Sequence, residues 1–503
     1  MRTTRLRQFV FRGLLVAILT YSGVLSLSVH AQQGDKATYS SGGVSPSQVW
    51  IDASAFWTGS PAQPDICLII DGIIQAGYPN ASGAVIDARG LYNSVSTSSA
   101  AILCSVNPFQ HATSSLPPTT VLLPEATIPV THTWTIPNNT RIVGEGQNTN
   151  LIAASPLSAG SYMIEMGYST SPLQLCPTGG FCTSVGVEHL LLSDSNGLNV
   201  GGIQNQWSQG SSYVDHVNFH SFNYYGLQVA GPSGSYPGGT NSGPYSNIAY
   251  GSANGSGSVC IDIETQTLGV HGVTCTGNST TGAAGGVGST TDTAGIYING
   301  SNNSVEDVHI ESFYDGIEIG NNGGTVGNIT ISNVESSKSG GTSCNGGTQC
   351  LVKNTVHICG SATPTRGACA NSGTVTDVTL LQITGFTYTV GDVMATVQDD
   401  ASGTSIVRLS SGGELPLTTA IYALGEPDAG GYTRFATNPA NPTANYDSSS
   451  TIVPTWGVND GSISSGSSCL TPGALYTNTG GSSGSIMYVC TYGTSGFVWK
   501  PIA

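Results

Sequence analysis

The chain is 503 residues long and acidic, with 29 Asp and Glu against 13 Lys and Arg, a formal charge of −16 at pH 7. Phosphate binding needs clustered cations, so the balance speaks against nucleic acid as a partner, and a polyanionic substrate is repelled unless a cation such as calcium bridges it. Abundant Gly, Ser, Thr and Asn with few charges is a composition that disorder shares, but regularly placed Val, Ile and Leu give the chain a face to bury. Lys and Glu, the helix formers, are scarce, which favours an all-β protein.

Residues 1–31 read as a signal peptide. Arg2, Arg5, Arg7 and Arg12 precede an apolar run over 13–29, and Val29-His30-Ala31 supplies the small residues of a cleavage site. An uncleaved membrane anchor is the other reading, but the Ser-rich end of the run is weakly apolar. Cleavage leaves 29 acids and 9 bases, and a secreted, periplasmic or cell-surface protein with no membrane contact. In that setting twelve Cys read as disulfides. Near neighbours suggest Cys67 with Cys104, Cys176 with Cys182, Cys260 with Cys275, Cys344 with Cys350, Cys359 with Cys369, and Cys469 with Cys490. A Cys-based metal site has little support because no C-x-x-C pair is present, and no metal set is assigned.

A polar linker runs to about residue 45. Residues 65–76 then read as a short helix with Ile66, Ile69, Ile70 and Ile73 on its apolar face, placed to cap the open end of a stack. Strands follow at 83–91, at Val121-Leu122-Leu123-Pro124-Glu125-Ala126-Thr127-Ile128, and at Thr140-Arg141-Ile142-Val143-Gly144-Glu145-Gly146. In these residues the chain resembles the pectate-lyase-like superfamily, whose members open with a short helix, a strand reading Val-x-Leu-Pro-x-Gly-x-Tyr and a turn reading Ile-x-Gly-x-Gly. Here Ala126 stands for the usual Gly and Ile128 for the aromatic. The resemblance covers residues 65–386 and implies a right-handed parallel β-helix that acts on or binds extracellular polysaccharide. It specifies fold more than reaction.

Through the middle of the chain a six-residue pattern recurs, independently of that resemblance. It reads Val187-Glu188-His189-Leu190-Leu191-Leu192, then starts again at Val214, Val270, Val305, Val326 and Val375. Its third residue is His189, His216, Gly272, Asp307, Asn328 or Asp377, a small polar or bending residue expected to stack as a structural ladder. Between the copies lies a second pattern, Gly202-Ile203-Gln204, Gly226-Leu227-Gln228, Gly295-Ile296-Tyr297-Ile298 and Gly316-Ile317-Glu318-Ile319. Val305 to Val326 and Gly295 to Gly316 are each 21 residues, while spacings of 27, 35, 49 and 56 fit one or two turns with insertions. Two strands advancing together predict a parallel solenoid.

If Ile261 shares a slot with Ile296 and Ile317, one outward column reads Gln204, Gln228, Asp262, Tyr297, Glu318. Asp262 and Glu318 are then two turns, about 10 Å, apart, which suits an acid and a base flanking a glycosidic bond, with Tyr297 stacking on the sugar. Asp315 adds a third carboxylate. A neighbouring column offers Asn218 and His220, Thr274, His309 and Glu311, then Thr330 and Ser332. Candidate catalytic residues are therefore Asp262, Glu318 and Asp315, with Tyr297, His309, Glu311 and Gln228 binding substrate. The same acids would also serve as a plain solvated face.

Departures from related enzymes bear on mechanism. His271-Gly272 resembles a polygalacturonase element, but that family's Asn-Thr-Asp and paired Asp are absent, and Asp399-Asp400 lies outside the periodic region. A pectate lyase needs an Arg base, and no Lys or Arg occurs between Val187 and Ile331. The expected layout is a β-helix domain over 46–390, a short antiparallel unit over 391–435, a linker over 436–455 and a small disulfide-bonded β module over 456–503. Function is read as glycoside hydrolysis or lysis of extracellular polysaccharide without a fixed cofactor, calcium remaining open. The alternative is a non-catalytic, adhesin-type or structural solenoid.

Overall fold

The computed structural model describes the chain from Val49 to Ile502 except 59–62, 80–81, 92–101, 171–172, 179, 231–240, 253–257, 278–293, 312, 314, 321–324, 338–353, 360–373, 376, 386–394, 400–405, 411–455, 460–474, 479–485 and 494–495. Residues 1–31, expected to be a signal peptide, and Cys344, Cys350, Cys369 and Cys469 lie outside the described residues, as does the side chain of Cys490. Three disulfides are seen, Cys67–Cys104, Cys176–Cys182 and Cys260–Cys275, each as the spacing suggested.

From Gly186 onward the strands of the two large sheets, of 14 and 9 strands, alternate along the chain, and within each sheet they lie parallel on the strand one turn earlier. Tyr213–Phe222, Tyr225–Val229, Tyr245–Ser252 and Val259–Ile263 show the alternation over two windings. The fold is thus a right-handed parallel β-helix. Val187 pairs with Val214, and Val270 with Val305, so the valine-led segments do stack in register. Their inward residues, among them Leu190, Val217, Val273 and Val308, form one continuous core.

The third residue of the pattern bends the long sheet. His189, His216, Asn247, Gly272, Asp307 and Asn333 all have φ between 51° and 67°, the left-handed region that Gly, Asn, Asp and His tolerate best. A second left-handed rung precedes most of them by five residues, at Ser184, Ser211, Thr267, Asn302 and Asn328. Asn328 therefore belongs to this earlier rung and donates to Asn302 Oδ1 at 2.8 Å.

That assignment corrects the phase of two repeats, those led by Val326 and Val375. Val305 lies beside Ile331, not Val326, while Val326 pairs with Val375 in a separate two-stranded ladder. Ile331-Ser332-Asn333-Val334 carries the same bending pattern five residues later, and it is this copy that stacks. The 56-residue gap from Val214 to Val270 holds a whole additional strand, Tyr245–Ser252. A Tyr in place of the leading Val hid it.

Glycines shape the second sheet. A Cβ at Gly202 would stand 2.4 Å from the Phe219 ring, and one at Gly295 would stand 3.0 Å from Ile310, so both glycines face the core where large side chains turn the corner. Beyond each corner Ile203 or Ile296 is buried in the core, and the residue after it, Gln204 or Tyr297, takes the outer side. Around the start of the stack, helix Ile66–Gln75 buries Ile66, Cys67, Ile70, Ile73 and Ile74, with Asp65 Oδ1 capping it through Leu68 N at 3.0 Å. No helix of the described residues is long and apolar enough to cross a membrane.

One boundary differs from expectation. Ala395–Asp399 and Ile406–Ser410 pair parallel with Asn354–Ile358 and Asp377–Gly385, so the stack continues past 390 and Ile406–Ser410 is not half of an antiparallel unit. Its expected mate, 419–424, lies outside the described residues. The end module is a four-stranded sheet in which Leu475–Asn478 and Ile486–Gly493 pair antiparallel.

Candidate active site

The outer column of the nine-stranded sheet runs Glu165, Gln204, Gln228, Asp262, Tyr297, Glu318, His357, each paired in register with the next. Strand stacking spaces them by about 4.8 Å, which puts Asp262 and Glu318 two windings apart with Tyr297 between them. The sequence placed five of these residues in this order. Glu165 and His357 were missed although the apolar alternation around them was visible; Met163 and Thr355 stand where four other copies have Gly, a position that Cys260 fills before Asp262.

Side chains in the column are tied across windings. Tyr162 Oη and Gln204 Nε2 both donate to Gln228 Oε1, at 2.5 and 2.7 Å, and Gln228 Nε2 donates to Asp262 Oδ2 at 2.9 Å. The two donors on its oxygen fix the Gln228 amide so that its nitrogen faces Asp262. Asp262 is only 2% exposed, and its Oδ1 accepts no hydrogen bond from the described residues. Burial, with the nearby charge of Glu264, pushes its carboxyl up to about 8, and the Gln228 hydrogen bond offsets only part of that.

Around this acid the surface reopens. Glu264, two residues on, is exposed at the strand end and is itself raised by partial desolvation. Gln228, Tyr297 and Glu165 are half-buried, and burial raises Glu165 as well. Tyr162, Tyr224 and Tyr225 form a ring cluster with centroids 5.9 and 4.5 Å apart. Burial, followed by the charge of Asp262, keeps the Tyr225 phenol protonated well above its ordinary range.

Farther along, Asp315, Glu318 and His357 are completely shut from solvent, a departure from the accessible carboxylates expected at Asp315 and Glu318. His357 Nδ1 is hydrogen-bonded to Asp315 Oδ2 at 2.8 Å, and Cys359 Sγ lies 3.2 Å from Glu318 Oε1. The three residues bring ligand atoms within 4.8 Å of one another, so this is a donor set that could hold a cation inside the protein.

His309 and Glu311 do not join Asp262. They sit on the 14-stranded sheet, bonded to each other at 3.0 Å, with His309 following Thr274 as expected. The next rung is Glu335, 3.8 Å from His309, in place of Thr330 and Ser332. Neither described arginine of the early turns stands on the nine-stranded sheet. Arg141 is held by Glu188, and Arg89 by Asp87 and Glu145.

No family model matches the chain, and no curated protein matches it. Among solved structures it is similar to a tailspike protein of E. coli bacteriophage HK620 in complex with hexasaccharide, at 11% identity and a TM-score of 0.42 over 72% of this chain. The chain spans 60% of that tailspike's length. A DFA-IIIase mutant from Arthrobacter chlorophenolicus A6 is similar at 10% identity and a TM-score of 0.35, covering 86% of this chain and 85% of that one. The A-module of a mannuronan C-5 epimerase from Azotobacter vinelandii is similar at 9% identity and a TM-score of 0.32, over 75% of this chain and 100% of that one.

Proposed function

We propose that this is an exported β-helix protein that holds an extracellular polysaccharide along the outer face of the nine-stranded sheet and cleaves it by acid catalysis at Asp262. One observation carries the reading: a buried carboxyl raised to about 8 stands beside an exposed carboxylate, Glu264, on the same strand. Environments that push two carboxyls apart assign an acid and a base. With Oδ2 accepting from Gln228, the proton of Asp262 belongs on Oδ1, the oxygen that no described residue engages. Oδ1 is closed to solvent, so protonation of a glycosidic oxygen from there requires the half-buried side chains around it to part as the sugar binds, while Glu264 stabilises the developing positive charge or activates water. Tyr297 and Tyr225 supply stacking surfaces for the sugar rings.

Glu318 has the spacing for the second carboxylate, but its lack of exposure favours Glu264. The reaction is read as hydrolysis because an arginine base is missing from this face among the described residues. Reducing-end release from a panel of neutral and acidic polysaccharides tests the proposal. Asp262→Asn should lower turnover at least a hundredfold and Glu264→Gln at least tenfold, whereas Glu318→Gln should act mainly on stability. Full turnover in Asp262→Asn overturns it.

The burial of Asp262, Asp315 and Glu318 also favours a second reading, a non-catalytic solenoid that binds glycans through its half-buried tyrosines. Saturable glycan binding without any product from the whole panel would select it.

A further inference from the structure

On the 14-stranded sheet, away from the Asp262 column, the left-handed ladder carries two imidazoles on successive rungs. His189 and His216 share the same bent conformation, φ 55° and 52°, so their side chains leave the sheet in the same direction, one winding apart. Their rings stack with centroids 4.8 Å apart and an interplanar angle of 24°. Bending alone does not require this, since the following rungs, Asn247 and Gly272, make the same turn with a small side chain or none.

The residue before His216 completes a donor set. Asp215 Oδ2 is bonded to His216 Nδ1 at 2.8 Å, and Asp215 Oδ1 accepts from Ser246 Oγ at 2.5 Å and Asn247 Nδ2 at 2.9 Å. The carboxylate is thereby fixed by the next winding before any ligand arrives. His189, Asp215 and His216 each offer a ligand atom, all within 4.8 Å of one another, and His216 is open to solvent. We infer that this trio is a surface site for a divalent transition-metal ion. Two imidazole nitrogens and one carboxylate oxygen suit zinc or copper, whereas calcium and magnesium prefer all-oxygen shells. Three protein ligands leave a coordination position for water or an outside ligand.

The test uses the whole mature protein, stripped with chelator and titrated with Zn(II) alone, then with Cu(II) followed by electron paramagnetic resonance. Substitution by Asn, which the chain itself uses at the next rung, keeps the bend and removes the imidazole. One saturable site is expected, weakened at least tenfold in His189→Asn and in His216→Asn, and unchanged in the exposed control His132→Asn. The copper spectrum should show coupling to two nitrogens, reduced to one in either variant. Absence of saturable binding in the wild-type protein overturns the inference, as does equal binding in the wild type and both ladder variants. Circular dichroism confirms that each variant retains the fold.

Discussion

An aspartate enclosed by strands ionises reluctantly, and the sign of its effect on stability follows. Between its ordinary range and about 8, Asp262 keeps its proton in the native chain while the unfolded chain has released it. Stability is therefore lost as pH rises from about 4 to about 8 and is flat above that. Asp262→Asn should abolish this decline, a difference on the order of a few kcal/mol in denaturant titrations across that range. Activity should have a basic limb near pH 8, where the acid deprotonates. Gln228→Leu removes the one donor that lowers the Asp262 carboxyl, so the limb should move to higher pH while stability falls by about 1–3 kcal/mol, because Tyr162 and Gln204 lose their shared acceptor. An unmoved limb would show that Gln228 does not set the proton affinity. At this scale the residues that share a column were legible, because the apolar-x-apolar core of each copy, usually opened by Gly, sets the phase. The sequence could not show that Asp315 and Glu318 are sealed, since burial depends on what covers a column and alternation reports only which way it faces.

Strands and corners were legible where apolar spacing was strict. Ile261, Ile296 and Ile317 were aligned correctly from sequence, and so was the helix that Asp65 caps. Reading failed where two phases of one pattern compete. Val326 and Ile331 both introduce an Asn-bent segment, and only the long-range ladder decides between them. The tight corners predict a specific sensitivity. A methyl group at Gly202 would meet both the Phe219 ring and the Gly226 carbonyl oxygen, the latter at 2.5 Å, so Gly202→Ala should cost about 1–3 kcal/mol in thermal or denaturant unfolding. Phe219→Leu would relieve only the ring contact, and the double variant should recover part of the loss. At the helix, Asp65→Ala removes both the cap and the acceptor of Ser105 N, and should cost about 1 kcal/mol or more.

For the molecule as a whole, parallel stacking was read from two periods advancing together, and the ladders bear it out. Its extent was underestimated because the last described windings, through Ile406–Ser410, lack a regular period. Net negative charge shapes what such a surface can hold. Affinity for a neutral glycan should hardly change with ionic strength, whereas binding of an acidic one should strengthen as salt screens repulsion, and isothermal titration at two salt concentrations separates the cases.

The hydrogen-bonded relay in which Tyr162 and Gln204 converge on Gln228, and Gln228 on Asp262, spans four successive coils, whereas the greasy interior of each coil needs only its two neighbours. Duplicating or deleting one coil inside that span would leave the interior content and break the relay. The scaffold is indifferent to how many coils it has, so it is the chemistry on its flank that does the counting.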